Sequence, residues 1–500
     1  MIKKLKLNTI TSLILEIVKI VSGIILPRFI LKMYGSDVNG LVNSIANFLS
    51  IISFLELGVG AVIQSSLYKP LANNNDDEIS KIMVSAKKFF NRIGTVLIVY
   101  IIVLIFVYPL INGGDFGFWY IASIIIAMGI DMVAQYYFGI VNRLLLSSDQ
   151  KGYIHYSIQI ITILINTIAC VILINSKVSI QLVKFTTAFI YIIRPIILKI
   201  YVEKNYPINY GITYIEEPIK QKWNGIAQHI AAVILDQTDT IVLTVFSTLK
   251  NVSIYSVYFL VINGIRTSVI SFTNGIQAIF GELWAKNETN KLIIFFEKVE
   301  WAIHIGVTFL FGCTMVLIVP FVQVYTKGIT DTNYIQPMFA IALTIANAIR
   351  CLRLPYNMMI LAVGHYKETQ HNYIIASILN IVISVITVKM YGLVGVAIGT
   401  LVAMLYQTVW MAWYNSKHLL KRSYTTFIKQ TLVDTICFGI IIFVKQCFSN
   451  ELYLSELSYY VWMSIGFKTV FIVAIIVFVV NYIFYKEKFK NLKTVLKIHN

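Results

Sequence analysis

Of the 500 residues in this chain, 58% are hydrophobic and only 13% are charged, with a mean hydropathy of +0.75. No soluble core buries that much apolar surface, so a water-soluble globular domain is excluded and the composition is that of a polytopic membrane protein. The formal net charge of +17 does not signal nucleic-acid binding, because the basic residues fall in short clusters between apolar runs and make no continuous patch.

The apolar runs are about 20–30 residues long and show no alternation of period two. Backbone groups in lipid must be satisfied within one segment or within a closed barrel, so these runs are predicted helices and the fold class is all-α. In chain order the expected spans are 9–34, 39–67, 91–111, 117–141, 153–175, 178–201 and 222–246. They continue with 253–281, 300–326, 334–361, 369–388, 392–415, 425–448 and 458–485, about 14 transmembrane helices in all. The first follows a basic start, but Glu16 and Lys19 interrupt its core and no small-residue cleavage site follows. It reads as a retained helix, not a removed signal peptide.

An even count puts both termini on one side. The basic residues of the connectors then sort about 27 to one side and about 7 to the other, Lys184 among the seven. The positive-inside rule places both termini in the cytoplasm, with the chain in the cell membrane. Two inner connectors have helical apolar spacing: 76–90, with Ile79, Ile82, Met83, Ala86 and Phe90, and 289–299, with Leu292, Phe295, Phe296 and Val299. Both have the look of interfacial helices on the inner leaflet, in contact with membrane lipids, and the favoured role is that of an ordinary amphipathic connector over a specific lipid sensor.

Each amphipathic segment follows the second helix of its half. The stretches "NRLLLSSDQKGY" from Asn142 and "NMMILAVGHYKE" from Asn357 also occupy matching places, about 215 residues apart. This is a weak internal repeat of six helices. Six is even, so both copies enter the membrane in the same orientation, and transporters built that way rock two halves about their cargo. The expected division is 1–210 for an N-terminal six-helix bundle and 211–420 for a C-terminal one, with 421–500 for two extra helices and a basic tail.

Several spans carry charge near their middle: Arg266 in 253–281, Arg350 and Arg353 in 334–361, and Asp236 and Asp239 in 222–246. An ionised group at the bilayer centre costs about 2.5–3.5 kcal/mol even on the lenient insertion scale, so such groups face a protein interior or a wet cavity. They point to a transporter of charged or strongly polar cargo. Catalysis finds no support, with no P-loop, H-E-x-x-H, G-x-S-x-G or Cys/His cluster, so the chain is not read as an enzyme. His365 and His371 straddle a turn without the rest of a metal site, and no cofactor or metal is expected. Cys170, Cys313, Cys351, Cys437 and Cys447 lie in apolar spans with no paired loop positions, which excludes a disulfide framework.

The run "LPRFILKMYGSDVNGLVNSIANFLSIISFLELGVG" (Leu26–Gly60) resembles the first two helices of Wzx-type polysaccharide flippases. So do "DQTDTIVL" (Asp236–Leu243), "VSIYSVYFLVINGI" (Val252–Ile265) and "MYGLVGVAIGT" (Met390–Thr400), in that order along residues 5–420. Those flippases belong to the MOP superfamily with the MATE exporters and MurJ. The resemblance implies two six-helix bundles around a central cavity, with two extra C-terminal helices. It also implies translocation of an undecaprenyl-pyrophosphate-type lipid-linked oligosaccharide by alternating access, for cell-surface polysaccharide such as O-antigen or capsule. Contact with the polysaccharide polymerase machinery belongs to the same expectation. With no nucleotide-binding motif in the sequence, any energy input is expected from ion gradients (H+ or Na+), the membrane potential or removal of the product on the far side.

Such a cargo carries a diphosphate, a sugar head and a long hydrocarbon tail. Arginine suits phosphate because its planar fork gives bidentate, charge-assisted bonds and keeps its proton in a low dielectric. The candidate cavity contacts are Arg266 with Asn263 (and Asn274) in the same helix, then Arg350, Arg353, Arg28, Arg194 and Lys19. The competing role for each is an internal ion pair or a snorkelling end. Asp236 and Asp239, which share a broad face with His229, join Glu56 and Asp131 as candidates for ion coupling, since carboxylates in a wet cavity share a proton or ligate sodium. Their competing role is to neutralise the arginines. Glu16 and Lys19 have the spacing of a local ion pair, and Lys468 is expected to pair with Asp434.

Three alternatives compete. A MATE-type ion-coupled exporter of small molecules would prefer a cavity dominated by carboxylates, which mid-span arginines here at least balance. MurJ-type proteins carry an arginine-rich pattern in the first helix, from which "SGIILPRFILKMYG" departs. A membrane glycosyltransferase or polysaccharide polymerase needs a substantial outer loop, and the outer connectors are short.

Overall fold

The computed structural model of the chain describes residues 2–56, 59–112, 116–219, 226–273, 275–447 and 456–486, and every regular element among them is helical. The chain divides into two compact units, Met1–Ser253 and Ile254–Asn500.

In the first unit, α1 (Ile2–Ser50) is a continuous run whose backbone breaks at Gly35, with φ 81° and ψ 178°. Only glycine takes that conformation without strain, so two expected spans meet there end to end with no loop. The apolar stretch Lys6–Ser53 holds 48 residues, about 70 Å of helix against a hydrocarbon core of about 30 Å, enough for two crossings. A tight turn at Ile51–Leu55 ends it, and α2 (Val59–Ala72) resumes. Next come α3 (Asp76–Asn112) and α4 (Phe118–Ala134), the latter running through a π turn at Gln135–Gly139 into α5 (Ile140–Ser148). The helices α6 (Gly152–Asn175), α7 (Ile180–Asn205) and α8 (Ile226–Phe246) complete the unit. α1 packs on α6, α4 on α7, and α6 on α7. α8 packs on α1 and the Ile51–Leu55 turn, where the Thr244 hydroxyl meets that of Ser44 at 2.7 Å.

α9 (Leu249–Thr273) begins in the first unit and runs into the second, where Gly275 (φ 90°) precedes α10 (Ile276–Ala285). Then follow α11 (Thr289–Tyr325), α12 (Pro337–Leu352), α13 (Leu354–Val363), α14 (Tyr366–Tyr391), α15 (Leu393–Tyr414), α16 (Thr425–Cys447) and α17 (Tyr459–Phe484). α14 and α15 form a close hairpin, α15 also packs on α12, and α16 and α17 both pack on α11.

Twelve helices among the described residues are long and apolar enough to cross a membrane. With Lys6–Ser53 counted as two crossings and the 21-residue α8 added, each of the fourteen expected spans corresponds to a helix or a broken pair. The repeat shows in how the helices break. In each half the second span is interrupted, at Ile51–Leu55 and at Gly275, and so is the fourth, at Gln135–Gly139 and at Arg353. α3 and α11 both hold 37 residues and start about 213 residues apart.

One expectation is corrected. Segments 76–90 and 289–299 are not separate helices on the membrane surface; they are the first turns of α3 and α11. No glycine or proline lies between either segment and the span that follows, so the helix continues without a break.

The α14–α15 hairpin depends on small residues at its contact. A Cβ built on Gly395 would stand 2.2 Å from the Thr387 carbonyl oxygen, and one on Gly399 would stand 2.8 Å from the Ser384 backbone nitrogen. Backbone cannot yield as a side-chain tip does. Gly395→Ala is therefore expected to destabilise the protein by about 1–3 kcal/mol, the range for overpacking. Thermal unfolding of purified protein checks this against Gly306→Ala, where a Cβ meets nothing within 4 Å and no loss is expected.

Candidate functional site

The first unit holds a partly open cavity of about 390 Å³ between α1, α4, α6 and α7. Its polar lining includes Lys19, Asn39, Asn43, Asn166, Lys184 and Tyr191, and no carboxylate is among the lining residues. Lys184 enters it because Ser179 caps α7 through the Leu182 amide and the helix starts at Ile180, so Lys184 falls one turn inside. The connector assignment of Lys184 made from sequence thus gives way to a cavity position.

Next to this cavity the structure gathers three charges. Arg194 donates from Nε to the Thr162 hydroxyl at 2.6 Å, and its guanidinium lies 3.5 Å over the Tyr191 ring. Its Nη2 is buried with no hydrogen-bond partner among the described residues. Asp131 of α4 lies within electrostatic reach of both Arg194 and Lys184. Lys19 lines the same cavity from α1 and is already paired to Glu16 at 2.8 Å, the spacing expected from sequence. Arg28 is half-buried in α1, one residue after Pro27, which also lines the cavity.

The remaining first-unit candidates stand apart from the cavity lining. Glu56 forms an ion pair with Arg143 of α5 at 2.8 Å. Asp239 is buried in α8 and Asp236 half-buried three residues before it; the side chain of His229 lies outside the described residues.

In the second unit Arg266 donates to Asn263 Oδ1 at 2.9 Å, and its guanidinium stands 5.4 Å from the Phe259 ring centre. Arg353 is buried at the α12–α13 break and stands 5.9 Å from the Tyr373 ring centre. Arg350 is half-buried one turn before it. Cys351 lies within electrostatic reach of Arg266, Arg350 and Arg353 alike, so the three arginines share one neighbourhood. Asn274 lies outside the described residues.

A second polar cluster escaped the sequence reading. Arg422, between α15 and α16, forms a bidentate pair with Glu300 of α11, one bond being 2.7 Å, and Tyr356 donates to Glu300 Oε1 at 2.6 Å. Burial alone would pull the Arg422 guanidinium down; the hydrogen bond and charge of Glu300 outweigh it and hold it above its ordinary range. One turn further along α11, His304 Nδ1 lies 2.5 Å from Asp434 Oδ2 of α16. The expected pairing of Asp434 with Lys468 is therefore corrected, because α16 presents Asp434 to α11. The i, i+4 spacing of Glu300, His304 and Thr308, which marks a polar stripe on an apolar helix, was the available sequence signal. Among the described residues no group of His, Cys, Asp and Glu could hold a metal ion.

No protein-family profile matches the chain, and no curated protein sequence does either. Solved structures do match. The lipid II flippase MurJ in an inward closed conformation aligns over 97% of this chain and 99% of its own, with a TM-score of 0.68 and 14% identity. A Vibrio cholerae MATE transporter aligns over 85% and 98%, with a TM-score of 0.57 and 13% identity. A MOP superfamily transporter from Pyrococcus furiosus, described as having a binding pocket of reverse polarity, aligns over 84% and 97%, with a TM-score of 0.56 and 12% identity. The chain is thus a multi-pass membrane protein with the fold of the MOP superfamily transporters.

Proposed function

We propose that the protein is a flippase that moves a polyprenyl-pyrophosphate-linked oligosaccharide across the cytoplasmic membrane by alternating access, for cell-surface polysaccharide synthesis. The observation that carries this reading is the sign of the interior charge. The first-unit cavity is lined by two lysines and no carboxylate, and Arg266, Arg350 and Arg353 gather in the second unit. Cationic interiors favour a diphosphate head group, while an opening to lipid leaves the tail in the bilayer. Arg28, Arg194, Lys19 and Asn263 are the supporting contacts in this proposal, Asp131, Asp236, Asp239 and Glu56 its ion-coupling candidates, and both termini are assigned to the cytoplasm.

The second reading is a MATE-type ion-coupled exporter, favoured by the buried Asp239 and by Asp131 beside the cavity. Reconstitution separates the two. Proteoliposomes carrying a labelled undecaprenyl-pyrophosphate oligosaccharide should expose its sugars to an external lectin faster than empty liposomes do. Export of a cationic dye without any movement of the lipid-linked sugar would decide for the exporter.

A further inference from the structure

The buried cluster of α11, α13 and α16 has an uneven charge count. Glu300 is neutralised by Arg422, the two side chains being 3% and 6% exposed. Asp434, 5% exposed, has His304, 1% exposed, as its one basic partner among the described residues. The Thr308 hydroxyl lies 2.7 Å from the His304 backbone carbonyl and 3.1 Å from the other carboxylate oxygen, its one proton shared between these two acceptors, and His304 Nε2 is buried with no hydrogen-bond partner among the described residues. The other titratable groups facing Asp434 are Tyr356 from α13, Cys437 from α16 and Tyr485 after α17, the last with Lys429 over its ring. None supplies a positive charge at the carboxylate itself. Glu297 stands further out, 4.0 Å from Arg422 and 38% exposed. A bare carboxylate at this depth is costly, so the imidazole and carboxylate must hold one proton between them to leave the cluster neutral.

We infer that His304 and Asp434 form a proton-binding site whose single exchangeable proton fastens α16 to α11. The proton sits between imidazole Nδ1 and carboxylate Oδ2; when it leaves, Asp434 remains as an uncompensated buried anion and the contact between the two helices loosens. As a place for a coupling proton the site deepens the transport reading and rests on it for its use, though not for its existence.

The experiment takes the full chain in lipid nanodiscs with the other six histidines replaced, so that His304 of the seven is the sole imidazole seen by nitrogen NMR. Its signal is expected to switch between protonated and neutral forms as pH is varied. Asp434→Asn should change the pH at which that switch occurs, because the imidazole loses the carboxylate it faces at 2.5 Å. Thr308→Val, a gentler change should the first variant not fold, should change it as well, since its hydroxyl stands 3.1 Å from the same carboxylate. A His304 signal that stays constant while the protein remains folded overturns the site, as does a switch that neither variant moves. These readings involve no cargo, so they fail independently of the flippase reading. In proteoliposomes, D434N flipping that still follows an imposed pH gradient would overturn the coupling use.

Discussion

Arg422→Ala is expected to destabilise the protein by about 3–5 kcal/mol, the cost of removing one partner from a buried ion pair. The loss does not come from the attraction between the charges, much of which repays their desolvation. It comes from leaving Glu300, 3% exposed, as a buried anion with the Tyr356 hydroxyl as its remaining donor. Arg422 also stacks 4.7 Å over the Phe296 ring, so some packing goes with the charge. Unfolding of purified protein in detergent measures the loss. The double variant Arg422→Met with Glu300→Leu is the diagnostic companion, because deleting both charges together should recover most of the stability. A single variant that loses less than about 1 kcal/mol would count against a buried pair here.

On the proposed flippase function, Arg266→Ala is expected to lower the rate of lipid-linked oligosaccharide flipping by about 10–100-fold at normal protein abundance. A charge-assisted hydrogen bond contributes about 1.5–3 kcal/mol, and each 1.4 kcal/mol is tenfold. Arg266→Lys separates charge from geometry: the ammonium keeps the sign but loses the planar fork, so an intermediate rate is expected. Asn263 holds the guanidinium at 2.9 Å and fixes the direction in which its other nitrogens point. Flipping measured in proteoliposomes, with protein quantified in the same preparation, gives the answer. Unchanged flipping by the alanine variant would remove Arg266 from the cargo path.

The helices were legible because lipid imposes a simple rule on sequence: an apolar run must be helical and long enough to cross. The spacing that suggests a repeat has a counterpart in where helices break, at Gln135–Gly139 and at Arg353, while the two compact units divide at Ser253, not at residue 210. What sequence did not show was which charges meet. Arg422 and Glu300 are 122 positions apart, and His304 and Asp434 are 130 apart; only helix packing brings them together. Lys184 was counted with the connectors because it lies in the first turns of the expected span 178–201; it is the packing of α7 on α4 and α6, which sequence does not show, that makes it a cavity residue. The amphipathic segments misled because the same periodicity suits a helix lying on a membrane and one rising into a packed bundle; a breaker between segment and span would have told them apart, and there is none.

That continuity has a mechanical consequence. α3 and α11, 37 residues each with a proline only near the far end, Pro109 and Pro320, are unbroken helices about 55 Å long at 1.5 Å per residue, well beyond the bilayer core. A surface helix joined by a loop would absorb a push at its outer end. A single rod transmits it, and a tilt of about 10° sweeps the far end of a rod this long through roughly 10 Å. The N-terminal ends of α3 and α11 are therefore continuous with the membrane-crossing parts of the same helices, so a displacement at one end is carried along the helix as far as Pro109 and Pro320.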